Sequence, residues 1–271
     1  MFGDKKIAVI GGGKMGGIIV GGLLTQKMIA PEHIIVADKV KERLDELNKT
    51  YHVITTEDGV YATKEGDIII IAVKPQDLTD LLKEISPFIN EKKLLISIAA
   101  GITTHFLEKH LPTKTPVIRA MPNTCAAVGA AATALTRGTY ASVGDLEIAN
   151  SIFSSFGITV TVKEDLMDAV TGLSGSGPAY VFVMIEALTD AGVLMGLSRE
   201  VALTLVAQTF LGAAKLCLTG DYHPATLKDM VTSPGGTTIA GLKALEEGKI
   251  RATLMAAVQA ATFRSRELAS R

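Results

Sequence analysis

The chain has no tryptophan, and its aromatic residues make up only 5% of the total. Its core must therefore be built from Ala, Val, Ile and Leu. Cysteine is scarce as well: Cys125 and Cys217 are the two in the sequence. They lie far apart and match no metal or redox spacing, and no metal constellation appears elsewhere. Such cysteine usage suits a reducing cytosol. Neither sign of charge dominates. The formal net charge is −1, so nothing argues for a basic surface that holds nucleic acid or an anionic membrane. Long hydrophobic runs are missing too. The longest purely aliphatic block, residues 68–73, is far too short to span a bilayer. The apolar run after Lys5-Lys6 turns into glycines beyond Ile10, unlike a signal peptide. The expectation is a soluble, cytoplasmic protein with neither a nucleic-acid nor a membrane partner.

What is present is aliphatic and periodic. Short runs at 7–10, 34–37, 68–73, 94–98 and 117–118 alternate with amphipathic segments at 41–49 and 78–88. Continuous apolar runs predict strands buried on both faces, hence a parallel sheet with helices on either side. Residues 131–135 and 158–162 are expected to add edge strands. Near Glu164 the strand runs stop, and 178–195, 199–218 and 251–268 read as long helices. Ser198 is placed to cap one of them, Gly196 and Gly220 to end helices, and Pro224 to open one. Residues 201–218 are apolar around most of the circumference, so that helix must be buried on several sides. A tail of this size cannot cover so much surface alone, which points to a helical dimer interface.

The first strand runs into Gly11-Gly12-Gly13-Lys14-Met15-Gly16. In this G-x-G-x-x-G pattern Gly11 permits a tight turn. Gly13 lets the backbone approach a pyrophosphate, and Gly16 allows close helix–strand packing. The free N–H groups of the helix start, at Lys14, Met15 and Gly16, suit the phosphates of NADH or NADPH. Asp38 follows the second strand, where an acidic residue can take ribose hydroxyls; Lys39 beside it could answer a 2′-phosphate instead. The predicted fold is therefore α/β. An N-terminal Rossmann-type, doubly wound, mainly parallel sheet occupies 1–163, followed by an all-α C-terminal dimerisation domain over 164–271.

Three further strand ends carry unusual residues: Ala72-Val73-Lys74-Pro75, Ala99-Ala100-Gly101, and Ala120-Met121-Pro122-Asn123-Thr124. Ligands collect at the carboxyl ends of parallel strands, so three such ends at one sheet edge favour a binding crevice. In the helical half, Leu173-Ser174-Gly175-Ser176-Gly177-Pro178-Ala179-Tyr180 reads as a flexible turn with Pro178 opening a helix. It serves either close packing or a helix start aimed into the crevice. Ser233-Pro234-Gly235-Gly236-Thr237-Thr238 exposes several backbone N–H groups together, a nest that binds a carboxylate without any Arg. Ser233 and Thr238 add hydroxyls, and Thr237 or Thr238 could also cap the following helix.

With these segments placed, the chain resembles pyrroline-5-carboxylate reductase over essentially its whole length. The likeness rests on residues 10–16, 72–75, 97–101, 119–124, 173–180 and above all 227–238. It implies reduction of 1-pyrroline-5-carboxylate to L-proline by NADPH or NADH, the last step of proline biosynthesis. It implies a helical domain that interlocks with a second subunit, and assembly of homodimers, commonly into decamers. It implies that Val231, Ser233, Gly235, Gly236, Thr237 and Thr238 bind substrate, with Thr238 at the ring nitrogen as the catalytic residue. Gly11, Gly13, Lys14, Met15, Gly16, Asp38, Lys39, Ala72, Val73, Lys74, Pro75, Ala99, Ala100, Gly101 and Asn123 are the expected cofactor set. The chain departs from the family at Cys125, where Pro is usual. Asp221 and Tyr222 precede His223-Pro224 where Glu is frequent, and Asp38-Lys39 is not the Arg-containing pattern of clear NADPH users. No His, Lys or Glu is placed as an obvious general acid. One rival is a 3-hydroxyacid dehydrogenase, whose catalytic Lys is missing after Ser176-Gly177. A second is a non-catalytic nucleotide-sensing protein, against which the intact hydroxyl turn argues.

Overall fold

The computed structural model describes residues 2–112 and 114–269, so the outer limits of the expected domains, 1 and 271, lie outside the described residues. Residues up to Ser176, together with those from Ala260 onward, form one compact unit; Gly177–Gln259 form the second.

The first unit is built on strands β1 (Ile7–Ile10), β2 (Ile34–Ala37), β3 (Ile54–Thr56), β4 (Ile68–Ile71), β5 (Leu94–Ser97), β6 (Val117–Met121), β7 (Ala131–Arg137) and β8 (Gly157–Thr161). Between them run helices α1 (Lys14–Thr25), α2 (Lys41–Tyr51), α3 (Gly59–Glu65), α4 (Pro75–Ile85), α5 (Thr104–His110) and α6 (Val143–Ser154). The eight strands form one sheet in the order β3-β2-β1-β4-β5-β6-β7-β8. Every residue of β1, β2, β4 and β5 is buried, as continuous aliphatic strands require. Alternate side chains serve two cores. Val9, Val36 and Ile70 pack with Ile19 and Leu23 of α1 and Phe153 of α6. Ala8, Ile35 and Ile69 pack with Leu78, Leu82 and Ile85 of α4.

All neighbouring strands are parallel except β6 and β7. The expectation that both late strands lie at an edge holds for β8 alone. β7 sits inside the sheet, between β6 and β8. Its residues predicted a strand, but the antiparallel partner that encloses it is a tertiary choice without a local sequence signal. The chain passes from β1 outward to β3 and then returns to β4 beside β1, so the switch of direction falls between β1 and β4.

After β8 the chain is helical. A 3-10 turn (Glu164–Leu166) leads into α7 (Met167–Val170), a π-helical turn (Thr171–Gly175) and α8 (Gly177–Leu194). Residues Glu164–Leu194 count as one helix of 31 residues. The expected flexible Ser-Gly turn before a new helix at Pro178 is therefore not formed. Ser176 N–H bonds to Thr171 O at 2.8 Å, widening the helix instead of breaking it. The first turns of this helix belong to the first unit, where Glu164 meets Arg119 and Thr104.

The second unit contains α8, α9 (Arg199–Leu218), α10 (Pro224–Met230), α11 (Thr237–Glu247) and the start of α12 (Ile250–Ala269). Gly196 adopts a left-handed φ of +98° between α8 and α9, and the Ser198 hydroxyl accepts from Val201 N–H at the start of α9. Gly192 and Ala202 mark the close crossing of these two helices, since a Cβ on Gly192 would lie 2.8 Å from Ala202 Cβ. The helix expected to be buried on several sides is mostly exposed in the single chain. Leu203, Leu205 and Leu211 face outward, and Ala202 is the buried residue of α9. The helices Glu164–Leu194 and Arg199–Leu218 are long and apolar enough, by length and composition, to cross a membrane. The shorter aliphatic runs counted in the sequence did not reveal this.

Candidate active site

At the carboxyl edge of the sheet, Ile10, Ile71 and Ser97 stand in register as the last residues of β1, β4 and β5. The residues that follow them bring residues 11–16, 72–75 and 99–101 of the expected cofactor set to one edge. Gly11 has φ +110°, and a Cβ there would lie 2.6 Å from Ala72 O. Only glycine lets these two strand ends approach so closely. A Cβ on Gly16 would collide with the Gly11 carbonyl. Gly13 is different: an added Cβ would find only Arg43 Nη1, at 4.0 Å. Its open side is the space a pyrophosphate needs. Gly13 is also the N-cap of α1, with no side-chain cap bond. The leading N–H groups of α1 are thus left for an anion. These features fit a dinucleotide.

Asp38 follows β2 as predicted, but its carboxylate is already engaged. Oδ2 accepts from Gly12 N–H at 2.7 Å, and Oδ1 from Val40 N–H at 2.8 Å. Arg43 Nη1 approaches Oδ2 at 3.4 Å. The Asp38 side chain is only 8% exposed. It braces the glycine loop against the β2–α2 turn. Lys39 and Lys74 are exposed. Lys74 caps α4 through its backbone, with Pro75 in the first turn. Gly101 has a left-handed φ of +75° beyond Ala99 and Ala100. Asn123 is buried, and its amide is engaged within the protein. Nδ2 donates to Ser174 O at 3.0 Å, and Oδ1 accepts from Ala132 N–H at 3.4 Å.

In the second unit the segment from Val231 to Gly236 leads into α11, which Thr237 and Thr238 open. Thr232 N–H bonds to Asp229 O and Gly236 N–H to Ser233 O. Gly235 adopts φ +68°, and a Cβ on Gly236 would strike Ser233 Oγ. Gly236 is the N-cap of α11 and makes no side-chain cap bond. Neither Thr237 nor Thr238 caps the helix, because both lie inside its first turn. The hydroxyls of Ser233, Thr237 and Thr238 make no hydrogen bond among the described residues. The first intrahelical bond is from Ala240 N–H to Gly236 O, so the amides of Thr237, Thr238 and Ile239 stand free at the positive end of the helix. Free amides and free hydroxyls together can hold a carboxylate and still offer a donor or acceptor to a second atom. A groove of about 600 Å³ is lined by Gly235, Gly236, Ile239 and Ala240, with the charged residues Lys228, Glu246 and Arg251 also in its wall.

A family model for the dimerisation domain of pyrroline-5-carboxylate reductase matches residues 164–268, and one for coenzyme F420-dependent NADP oxidoreductases matches residues 6–101. A pyrroline-5-carboxylate reductase of Methanosarcina acetivorans is 47% identical over 98% of this chain and 98% of its own length. The chain belongs to the pyrroline-5-carboxylate reductase family. Solved structures agree. The pyrroline-5-carboxylate reductase of Coxiella burnetii has a TM-score of 0.93 at 36% identity, covering 98% of both chains. The Plasmodium falciparum enzyme, determined with NADP bound, has a TM-score of 0.88 at 34% identity, covering 99% of both. Within this reductase family the exposed faces of α8 and α9 gain a reason, since 164–268 is the part that self-associates. Sequence reasoning missed Arg43, which sits by Gly13 and Asp38, and the Arg119–Glu164 pair at 2.7 Å. The one available signal for Arg43 was its place in the first turn of α2, facing back toward Asp38.

Proposed function

We propose that this chain reduces 1-pyrroline-5-carboxylate to L-proline with NADPH or NADH, the closing step of proline biosynthesis. The bound nicotinamide cofactor supplies the hydride for the imine carbon. Gly11, Gly13 and Gly16, with the amides of Lys14, Met15 and Gly16, hold its pyrophosphate. Asp38, Lys39, residues 72–75 and 99–101, and the backbone of Asn123 line the rest. The amides that open α11 and the Ser233 hydroxyl anchor the substrate carboxylate; Val231, Gly235, Gly236 and Thr237 shape that turn. The Thr238 hydroxyl holds the ring nitrogen, which must carry a proton for the carbon to be electrophilic. The chain's main work is alignment of two rings, which can supply much of the rate. The division of labour is 1–163 for the nucleotide and 164–271 for substrate and self-association, in a homodimer that can assemble into decamers. The setting is the cytoplasm, with neither nucleic acid nor membrane as partner; the free thiols of Cys125 and Cys217 suit that compartment.

The observation that carries the reading is the uncapped start of α11 beside hydroxyls that have no hydrogen-bond partner among the described residues. Cofactor absorbance followed with the cyclic imine tests it. Oxidation of NADPH or NADH that depends on the imine is expected, and Thr238→Ala should lower kcat/KM about 100-fold, as loss of a donor at the reacting centre does. Near-normal turnover and substrate affinity in Thr238→Ala would refute the Thr238 role. Activity with a 3-hydroxyacid and none with the imine would overturn the reaction.

A further inference from the structure

The acidic residue after β2 usually settles the choice of dinucleotide, because a free carboxylate takes the ribose hydroxyls and repels a 2′-phosphate. Asp38 is not free. Both oxygens accept backbone N–H bonds, from Gly12 and Val40, and the group is nearly buried. Its charge is offset by those amides and by the guanidinium beside it. Arg43 is the opposite case. Its side chain is 52% exposed, and its sole hydrogen bond or ion pair among the described residues is the long 3.4 Å approach to Asp38 Oδ2. Most of its five N–H donors are unengaged. Arg43 Nη1 is also the nearest atom to the open side of Gly13. A groove of about 370 Å³ lies here, lined by Gly12, Gly13, Lys14, Arg43 and Glu46 among others.

We propose that Arg43 makes this chain prefer a 2′-phosphorylated dinucleotide: its guanidinium is the ligand for the 2′-phosphate, and Asp38 is a loop brace and not a ribose ligand. A planar fork of donors matches a phosphate in two-point contact, which the ammonium of Lys39 cannot do. The brace has a second effect. Asp38 fixes the loop while holding Arg43 only loosely, so the guanidinium can turn toward a phosphate without breaking a strong ion pair.

The assignment rests on the nucleotide-binding reading of the glycine loop, and the test separates the two. Calorimetric titration of the full-length protein with adenosine 2′,5′-bisphosphate and with 5′-AMP gives a ratio of affinities. The unaltered protein is expected to bind the bisphosphate about tenfold more tightly or better. Arg43→Gln should bring the ratio to within about twofold of unity, with the loss falling chiefly on the bisphosphate. Arg43→Lys should give an intermediate ratio, and Lys39→Gln should change it less than Arg43→Gln does. An unchanged ratio in Arg43→Gln overturns the assignment, as does a larger loss in Lys39→Gln. An equal loss for both nucleotides also overturns it, since Arg43 would then only support the loop. If neither nucleotide binds the unaltered protein, the nucleotide site itself fails and this assignment with it.

Discussion

Asn123 Nδ2 donates to the carbonyl of Ser174 at 3.0 Å, and Pro178 stands four residues further along the same helix. In a regular helix the N–H of residue 178 would bond to that carbonyl, but proline has none. The asparagine amide takes the missing donor's place. It thereby ties the loop after β6 to the π-helical turn. Removing it takes a donor from that carbonyl and, on the other side, leaves the Ala132 N–H without its acceptor. Asn123→Ala is expected to lower stability by about 2 kcal/mol, the range for buried polar groups left unpaired. The midpoint of urea unfolding measures this. An unchanged midpoint would show that the amide is not needed there.

A second tie joins Arg119 of β6 to Glu164. The Arg119 side chain is 4% exposed and bonds to Glu164 Oε1 at 2.7 Å. Both carboxylate oxygens also accept from Thr104, one from its N–H and one from its hydroxyl at 2.7 Å. Arg119 Nη2 has no partner among the described residues. The guanidinium is thus only partly compensated in a buried place, and Glu164 is its sole counter-charge partner among the described residues. Loss of one member of such a pair leaves a buried charge alone. Glu164→Gln should cost about 3 kcal/mol, reduced somewhat because Glu164 itself is 31% exposed. Arg119→Met with Glu164→Gln should cost less than Glu164→Gln alone, which a double-mutant cycle of unfolding free energies would detect.

The glycines of the phosphate loop separate structure from binding. Gly16→Ala drives a methyl into the Gly11 carbonyl, and backbone cannot yield as a side chain can. Loss of folded protein is expected. Gly13→Val meets open space and an extended backbone, with φ −71° and ψ −167°, which a β-branched residue tolerates. Its melting temperature should stay within about 3 °C of the unaltered protein, since a surface change of this kind alters stability by only about 0.5 kcal/mol. Nucleotide affinity should still fall at least about tenfold, because the space for the pyrophosphate is filled. Parallel thermal melts and calorimetric titrations of the two variants check the contrast.

How much of this was legible follows from where the information resides. β1, β2, β4 and β5 were readable because strands buried on both faces must be aliphatic at every position. β3, only Ile54–Thr56, has one apolar residue and gave no pattern. The place of β7 depends on an antiparallel partner, which alternation cannot encode. The helix through Leu173 to Pro178 was hidden by Gly, Ser and Pro, residues that ordinarily mark a turn; here a π-turn and the Asn123 amide absorb them. At the site, glycine spacing announced the phosphate loop. The engagement of Asp38 and the position of Arg43 are tertiary facts, invisible until Gly12 and Val40 are placed.

The pH dependence of stability has a local source at the opposite end of the sheet. Lys6 Nζ meets Glu65 Oε2 at 2.8 Å. That hydrogen bond and the opposite charge hold the Glu65 carboxyl below its ordinary 4.5 and raise the Lys6 ammonium above 10.5. The unfolded chain therefore binds more protons at Glu65 as pH falls below 4.5, and fewer at Lys6 as pH rises above 10.5. The pair contributes fully between those values and fades on either side. Lys93 behaves oppositely. Its ammonium is partly buried against the carbonyls of Lys64 and Gly66 at the end of α3, and that partial burial pushes it below 10.5. The charged form is slightly disfavoured in the fold, so this group adds stability as pH climbs toward 10.5. Lysine side-chain NMR titration should find Lys93 deprotonating before Lys6. Lys6→Met should flatten the acid limb of stability below pH 4.5 without altering the region near neutrality beyond a constant offset.

The exposed face of the second unit gives the last expected outcome. Phe182 and Val183 of α8 are 63% and 65% exposed, and Leu205 of α9 is 55% exposed. Helices so apolar and so uncovered have no reason to remain apart in water, since each large side chain buried contributes about 1.5–3 kcal/mol. They lie within the stretch matched by the family's dimerisation domain. Leu205→Glu places a charge on that face without touching the sheet. If the face is covered by a second copy, the charge must be desolvated there, and association should weaken by several kcal/mol. Light scattering after size exclusion should then show a shift from oligomer to monomer at micromolar concentration, while 2′,5′-bisphosphate binding in the first unit persists. An oligomer unchanged by Leu205→Glu would move the interface to another face of α8 and α9.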